Sequence, residues 1–261
     1  MTDGRALARE FLEQQRQLGG NPVILPDLPG SGMRDAGSVA PPPPAPAHPA
    51  SRIPSPDLPP PGISYDPPGG DLFSNDPVPQ AVSLEAIAQL VASCTKCRLC
   101  EGRRHTVPGE GAAEARLVVV GEGPGRVEDE TGRPFVGPAG ELLTKILGAI
   151  ELPRERVFIC NVVKCRPPEN RLPQFDEIAA CIPYLFRQIE IVKPKVILAM
   201  GGTAAQTLLN TKQSLGALRN QIHRVRGIPV IVTYHPAALL RNPNWKKPTW
   251  DDVRIARRLI G

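Results

Sequence analysis

The sequence predicts an α/β fold, a three-layer α/β/α domain built around a central, mostly parallel four-stranded sheet. Four short runs rich in β-branched residues alternate with helical patterns in the C-terminal part of the chain. This order is typical of parallel sheets with helices on both faces. About 180 residues carry the pattern, which is enough for one hydrophobic core.

The elements follow one another in a regular order. The predicted strands are Leu117–Val120, Val157–Val162, Val196–Met200 and Val230–Thr233. The predicted helices, which lie between or after them, are Glu141–Ile150, Gln174–Ile191, Thr203–Leu209 and Asp251–Ile260. Ligands of such folds bind at the carboxyl ends of the strands, so the loops that follow the strands are the candidate site.

The composition changes near residue 80. Eighteen of the 32 prolines fall within residues 21–80 without apolar periodicity, which predicts a disordered, partly polyproline II linker. Ahead of it, residues 1–20 carry Leu7, Phe11 and Leu18 at near-helical spacing. They predict a short amphipathic helix, either solvated or docked on a protein partner. The folded domain is expected at residues 81–261.

Charge divides the chain at the same place. Residues 1–80 carry 5 Lys/Arg against 9 Asp/Glu, whereas residues 81–261 carry 26 against 17. A basic folded domain favours a polyanionic partner such as nucleic acid. No apolar run approaches the roughly 18 residues of a membrane span, so we expect a soluble, cytoplasmic protein. In that reducing setting six cysteines indicate metal binding or chemistry rather than disulfides.

Four cysteines have the spacing of a metal centre. Cys94 and Cys97 form a C-x2-C pair, and Cys165 and Cys181 stand far along the chain. Four thiolates suit zinc or an iron-sulfur cluster, and the wide spacing favours a cluster, with unconnected buried thiols as the third possibility. Cys160 is expected in the core of a strand, and Cys100 is either a spare thiol or a competing ligand.

The loops after the predicted strands hold the remaining unusual residues. The first reads Gly121-Glu-Gly-Pro-Gly125 and continues to Gly132-Arg-Pro-Phe-Val-Gly-Pro-Ala-Gly140. It lacks the third glycine of a dinucleotide fingerprint and the Gly-Lys-Ser/Thr of a P-loop. Its glycines are better suited to bringing backbone close to a flat ligand.

Residues 84–261 resemble family 4 uracil-DNA glycosylases, the iron-sulfur branch of the uracil-DNA glycosylase superfamily. The resemblance rests, in order, on the Cys94/Cys97 pair, the two glycine-rich motifs, Asn161-Val-Val-Lys-Cys-Arg-Pro-Pro-Glu-Asn-Arg171, Cys181 and His235-Pro-Ala-Ala-Leu-Leu-Arg-Asn-Pro243. It implies a uracil-DNA glycosylase-like fold and a 4Fe-4S cluster held by Cys94, Cys97, Cys165 and Cys181. Uracil-containing DNA, single- or double-stranded, is the implied partner of a monomeric enzyme in a prokaryotic nucleoid.

The resemblance also implies roles for single residues. Phe135 is the implied stacking platform for a flipped uracil, Asn161 the reader of its edge and His235 the donor to its O2. Glu122 and the backbone of Gly121 and Gly123 line the pocket, and we expect Glu122 to help exclude the thymine methyl. The alternatives are a core aromatic, a turn-capping amide and a structural histidine at the three main positions.

Two further implications concern the mechanism and the DNA. Family 1 enzymes carry an aspartate for the attacking water where this loop has Gly123. We therefore expect a dissociative mechanism, in which the glycosidic bond breaks before water adds, with Glu128 and Asp129 as weak candidates for assisting the water. The implied DNA contacts are Arg241 and Asn242 in a wedge loop, and Lys164, Arg166 and Arg171 near the third cysteine.

Two rival functions remain open. The first is a related branch that becomes covalently trapped on DNA through a histidine in an inserted loop, and the segment after Cys165 has no histidine. The second is a non-catalytic iron-sulfur DNA-binding protein.

Overall fold

A computed structural model describes residues 58–67 and 76–261, and these residues build a seven-stranded sheet between two helical layers. The strands are β1 (Pro61–Tyr65), β2 (Glu110–Gly111), β3 (Leu117–Gly121), β4 (Phe158–Asn161), β5 (Val196–Met200), β6 (Ile222–Val225) and β7 (Ile228–Thr233). Their order across the sheet is β1-β6-β7-β5-β3-β4-β2.

The four predicted strands are confirmed and form the parallel centre of the sheet, β7-β5-β3-β4. The predicted count of four strands is wrong, because three edge strands extend this centre. β2 and β6 run antiparallel to their neighbours β4 and β7, and β1 runs parallel to β6. The edge strands lack the continuous β-branched runs by which buried parallel strands are recognised in a sequence.

The helices are α1 (Leu84–Ala92), α2 (Leu99–Gly102), α3 (Arg126–Thr131), α4 (Pro138–Ala149), α5 (Phe175–Val192), α6 (Gly202–Leu209), α7 (Leu215–Leu218), α8 (Pro236–Arg241) and α9 (Lys246–Ile260). The four predicted helices correspond to α4, α5, α6 and α9. Short 3-10 turns occupy Arg154–Arg156, Pro168–Asn170 and Pro243–Trp245.

Alternate residues of the central strands face two separate cores, as the pleat requires. Leu117 and Val119 pack with α4 and α9, whereas Val118 and Val120 pack with α1, α5 and α6. These two cores confirm the three-layer α/β/α arrangement. None of the helices in the described part of the chain is long and apolar enough to cross a membrane.

Part of the predicted linker is folded. Pro61–Tyr65 forms β1, and the backbone N–H of Ile63 donates to Nδ1 of the buried His223 on β6. Val78 is also buried in the core. The domain therefore includes residues ahead of the predicted boundary at 81, because strand pairing can stabilise a short segment of any composition. The predicted helix within residues 1–20 and most of the predicted linker lie outside the described residues.

The register of the central strands aligns their carboxyl ends. Gly121 lies beside Asn161, and Met200 lies beside Thr233. The loops that carry the sequence motifs therefore leave the sheet at one edge, as the parallel order predicts.

Candidate active site and cysteine cluster

A cavity of about 580 Å³ opens at the carboxyl ends of the central strands. It is lined by residues from every loop that the sequence singles out, including Glu122, Gly123, Phe135, Asn161, Arg171, His235 and Arg241. The structure thus gathers the predicted base-binding residues at one place, although they are separated by up to about 110 positions in the chain.

Phe135 forms one wall of the cavity. Its ring lies 5.4 Å from the ring of His235, with 31° between the planes. The residue has a φ of 51°, which is unusual for a bulky side chain. Arg154 holds this conformation, because its guanidinium donates to the carbonyl oxygens of Phe135 and Pro134. Gly140 allows it, since a Cβ there would stand 1.8 Å from the Phe135 carbonyl oxygen.

Gly121 brings the ring and the carboxamide together. A Cβ at this position would stand 2.5 Å from Asn161 Oδ1 and 2.5 Å from Phe135 Cζ. Only glycine leaves room for both side chains at the end of β3. The expectation that this glycine permits a close approach of backbone to the pocket therefore has a direct steric basis.

Asn161 presents an unsatisfied acceptor. Its Oδ1 is buried, and no donor in the described residues reaches it. Buried polar atoms of folded proteins are nearly always paired, so an unpaired one requires an explanation. The turn-capping alternative would occupy this oxygen with a backbone N–H. A ligand N–H is a simpler explanation, because Asn161 also lines the cavity.

His235 is neutral and has a defined tautomer. It caps α8, where its Nδ1 accepts a hydrogen bond from the Ala237 backbone N–H at 3.2 Å. In the neutral ring the proton must then reside on Nε2, which makes that atom a donor. Burial lowers the pKa of His235 to about 4, with Arg241 acting in the same direction and Glu128 opposing it. At neutral pH the side chain is therefore an uncharged donor.

The carboxylate of Glu122 is held by a hydrogen bond from a residue that the sequence analysis did not identify. Its Oε2 accepts a hydrogen bond of 2.6 Å from the Thr203 hydroxyl, at the start of α6. The backbone carbonyls of Gly121 and Glu122 accept from Val162 and Val163, which joins the loops after β3 and β4.

Both candidates for a general base accept hydrogen bonds from backbone N–H groups. Glu128 accepts three backbone hydrogen bonds, from Gly125 at 3.1 Å, Val136 at 3.0 Å and Gly137 at 2.9 Å. It therefore joins the two glycine-rich loops. Asp129 is buried and accepts from the Arg104 backbone N–H at 3.0 Å. Both carboxylates therefore have a structural role, and assistance to the attacking water by either one stays a prediction.

The four predicted cluster cysteines line a second, small cavity. Cys94, Cys97, Cys165 and Cys181 meet there, together with Cys100, whereas Cys160 is buried in the core on β4. Burial raises the pKa of Cys97 and Cys165, and it raises that of Cys181 to about 12. Within residues 58–67 and 76–261, no three His, Cys, Asp or Glu side chains converge as on a single metal ion.

Two donors point at the sulfur atoms. The Arg103 guanidinium donates to Cys165 Sγ at 3.2 Å, and the Lys164 backbone N–H donates to Cys181 Sγ at 3.3 Å. Hydrogen bonds of this kind surround thiolate ligands in metal centres, where they tune the charge on sulfur.

The structure corrects the expected DNA contact of Lys164. Its side chain is only 1% exposed, and its ammonium donates to the Asn161 backbone oxygen at 2.8 Å and to Gln188 Oε1 at 2.7 Å. A buried ammonium cannot reach a phosphate. Lys164 instead connects the cysteine cavity to the backbone of Asn161, a role that the sequence does not reveal.

The other expected DNA contacts are in different situations. Arg171 makes a bidentate ion pair with the buried Glu177, so its guanidinium is already engaged. Arg166 donates to the Asn170 side chain and stays half-buried. Asn242 accepts from the Asn244 backbone N–H and caps a 3-10 turn. Arg241 is exposed at the end of α8 and lines the cavity.

A third cavity, of about 590 Å³, lies between α5 and α6 and is mainly apolar. Phe175, Ile178 and Phe186 line it, and no predicted site residue does. Its volume is close to that of the strand-end cavity, but its charged lining residues Arg187, Glu190 and Arg226 are ion-paired with one another. We therefore place the functional site at the strand ends.

The fold and the residues at the strand ends agree with the family to which comparison with known proteins assigns the chain. The chain belongs to the Uracil DNA glycosylase superfamily, which matches residues 108–255. It is 47% identical over 189 residues to the Type-4 uracil-DNA glycosylase of Sulfurisphaera tokodaii, covering 68% of this chain and 84% of that protein. It is 50% identical over 181 residues to the Type-4 enzyme of Thermotoga maritima, covering 68% and 94%.

A Type-5 uracil-DNA glycosylase of Pyrobaculum aerophilum is more distant. It is 31% identical over 150 residues, which cover 51% of this chain and 66% of that protein. The resemblance to family 4 drawn from the sequence motifs is therefore confirmed.

Proposed function

We propose that the protein is a DNA repair glycosylase that hydrolyses the N-glycosidic bond of deoxyuridine in DNA and leaves an abasic site for base excision repair. One observation carries the proposal beyond family membership. The buried, unpaired Oδ1 belongs to Asn161, and this residue lines a cavity together with an aromatic wall and a neutral imidazole donor. A uracil ring needs these three partners.

Asn161 reads the edge of the base. Its carboxamide accepts from uracil N3–H through Oδ1 and donates to O4 through the amide. Cytosine presents the opposite pattern and would leave groups unpaired, at a cost of about 1–3 kcal/mol each. Phe135 stacks on the ring face, and Glu122, held by Thr203, occupies the wall where it excludes a 5-methyl group.

His235 stabilises the departing base. As the glycosidic bond lengthens, negative charge grows on the pyrimidine, and the Nε2–H of His235 donates to O2. A neutral donor suits this role, since it needs no proton transfer to the leaving group. Glu128 and Asp129 both accept backbone hydrogen bonds, and we propose that bond breaking leads and that water adds afterwards to an oxocarbenium-like sugar.

We assign a 4Fe-4S cluster to the cysteine cavity. Four of the cysteines that line this cavity suffice for such a cluster, in which each thiolate binds one iron. The buried Lys164 ammonium hydrogen-bonds neutral oxygens, so anionic thiolates nearby would offset its charge. Cys94, Cys97, Cys165 and Cys181 would hold the cluster, which when bound braces the loop between Asn161 and Arg171.

The DNA lies across the mouth of the cavity. Arg241 is exposed and lines the cavity. Arg166 directly follows Cys165 and lines a neighbouring depression together with Arg98. We assign phosphate or wedge contacts to Arg241 and Arg166. Arg171 and Asn242 support the loops instead. The monomeric state and a protein partner for residues 1–20 remain part of the proposal.

The test is an assay of the purified protein on single- and double-stranded oligonucleotides that contain one uracil. We expect free uracil and an abasic site, with four irons per chain that are lost in Cys181→Ser. Tight salt-dependent binding without an abasic product would favour the non-catalytic alternative. A protein-DNA adduct that survives denaturing electrophoresis would favour covalent trapping.

A further inference from the structure

The wall of the active-site cavity contains an aromatic stack that the roles above do not use. The rings of Tyr234 and Trp245 lie parallel, with centroids 4.7 Å apart and 7° between their planes. The Arg219 guanidinium lies 4.5 Å from the centre of the Tyr234 ring. Two groups this close to one ring must take opposite faces, so the order is Arg219, Tyr234, Trp245.

The inner end of this stack is anchored in the protein interior. Asp252 is buried and receives two hydrogen bonds from Arg219, at 2.9 and 3.1 Å, and one from the Thr233 hydroxyl at 2.7 Å. Thr233 ends β7 and directly precedes Tyr234. The stack is therefore rigid, because its base is an ion pair tied to the central sheet.

The outer end of the stack is open. Trp245 is 37% exposed and lines the same cavity as Phe135 and His235. That cavity, of about 580 Å³, is in the range of sites for drug-sized ligands and exceeds what one pyrimidine ring requires. Lys246 and Lys247, which follow Trp245, are exposed and add positive charge beside it.

We propose that Trp245 is a stacking platform for the nucleobase next to the extruded uridine on the same DNA strand. This inference rests on the proposed function, because it presumes that a uridine enters the cavity. An aromatic face accepts any base, since every base has a π-face. Such a platform suits an enzyme that must work in all sequence contexts. Lys246 and Lys247 would meet the phosphates on either side.

The chain offers a matched control. Trp250 is 38% exposed and lies on α9, five residues after Trp245, but it lines a different depression with Arg254 and Arg257. Trp245 and Trp250 are the two tryptophans of the protein. A loss of exposed aromatic surface is therefore nearly equal in Trp245→Ala and Trp250→Ala, and only the position differs.

The experiment uses a single-stranded oligonucleotide that carries 2′-fluoro-2′-deoxyuridine, which resists cleavage, with 2-aminopurine next to it. We expect Trp245→Ala to weaken binding by roughly 10-fold, as the loss of one base stack predicts. Trp245→Phe should retain most of the affinity and Trp250→Ala all of it. The 2-aminopurine fluorescence should be quenched by the wild type and much less by Trp245→Ala.

Three results would overturn the proposal. They are wild-type affinity in Trp245→Ala, equal quenching in both proteins, and quenching that occurs only when the 2-aminopurine lies opposite the uridine in a duplex. If Trp245→Ala does not fold, Trp245→Leu replaces it, since leucine keeps apolar volume without an aromatic face. Release of uracil from a cleavable oligonucleotide is measured separately, so failure of the glycosylase activity is distinguishable from failure of the platform.

Discussion

Replacing Asn161 by alanine separates a functional amide from a structural one. The substitution removes both hydrogen bonds to the uracil edge. At about 1.5 kcal/mol each, these contribute about 3 kcal/mol, which corresponds to roughly a 100-fold slower excision. The folded protein loses no internal hydrogen bond at Oδ1, because that oxygen has no partner among the described residues. We therefore expect the melting temperature to stay the same or rise.

The assay combines single-turnover excision from a uracil oligonucleotide with thermal unfolding of the same preparations. Asn170→Ala is the matched control, because Asn170 lines the same cavity but is exposed and bonded to Arg166. It should leave the rate within a few-fold of the wild type. A melting temperature several degrees lower in Asn161→Ala, together with an unchanged rate, would refute the reasoning and restore the turn-capping interpretation.

Three further predictions follow from the geometry. Desolvation lowers the pKa of His235 to about 4 from an ordinary 6.5, so the unfolded chain binds the proton more readily. Its contribution of about 3 kcal/mol to the free energy of unfolding is complete above pH 6.5 and lost as pH falls to 4. Gly121→Ala should slow excision at least tenfold, because its Cβ would stand 2.5 Å from the ring and the amide oxygen of the pocket. Arg241→Ala should reduce the slope of the logarithm of the DNA-binding constant against the logarithm of the salt concentration by about 1, because one phosphate contact is lost. Lys164→Met should destabilise the fold without changing this slope.

Each of the three has a defined measurement. Denaturant unfolding at pH 7 and pH 4 should show the loss in the wild type, with a smaller loss in His235→Gln; equal losses would contradict the assignment. A rate in Gly121→Ala equal to the wild type would contradict the steric argument. Binding titrations at several salt concentrations would contradict the burial of Lys164 if its substitution lowered the slope.

The sequence was most informative where the structure is most regular. The central strands β3, β4, β5 and β7 are continuous β-branched runs, and burial on both faces leaves little alternative for such runs. The edge strands were missed because their stabilisation comes from pairing with a neighbour. β1 shows this well, since Pro61–Tyr65 lies in a proline-rich stretch that has no pattern of its own.

The sequence predicted which residues line the candidate site, but it did not predict the hydrogen bonds that these residues and their neighbours make. Phe135, Asn161 and His235 were found through motifs, and the structure brings them to one cavity. The DNA contact of Lys164 was wrong and the structural bonds of Glu128 were not foreseen, because a charged side chain in a loop gives no sign of its hydrogen-bond partners. Glu128 connects the two glycine-rich loops, and Lys164 connects the cysteine cavity to the backbone of Asn161.

By itself the sequence determined the α/β class, the strand-end position of the candidate site and the family, because each depends on residue type and order. Only the tertiary structure decided which polar groups are free to act. Whether the Asn161 oxygen is unpaired, the His235 ring neutral and the Lys164 ammonium buried depends on neighbours distant in the chain. Hydrogen bonding and burial are properties of the packed molecule, and local sequence does not contain them.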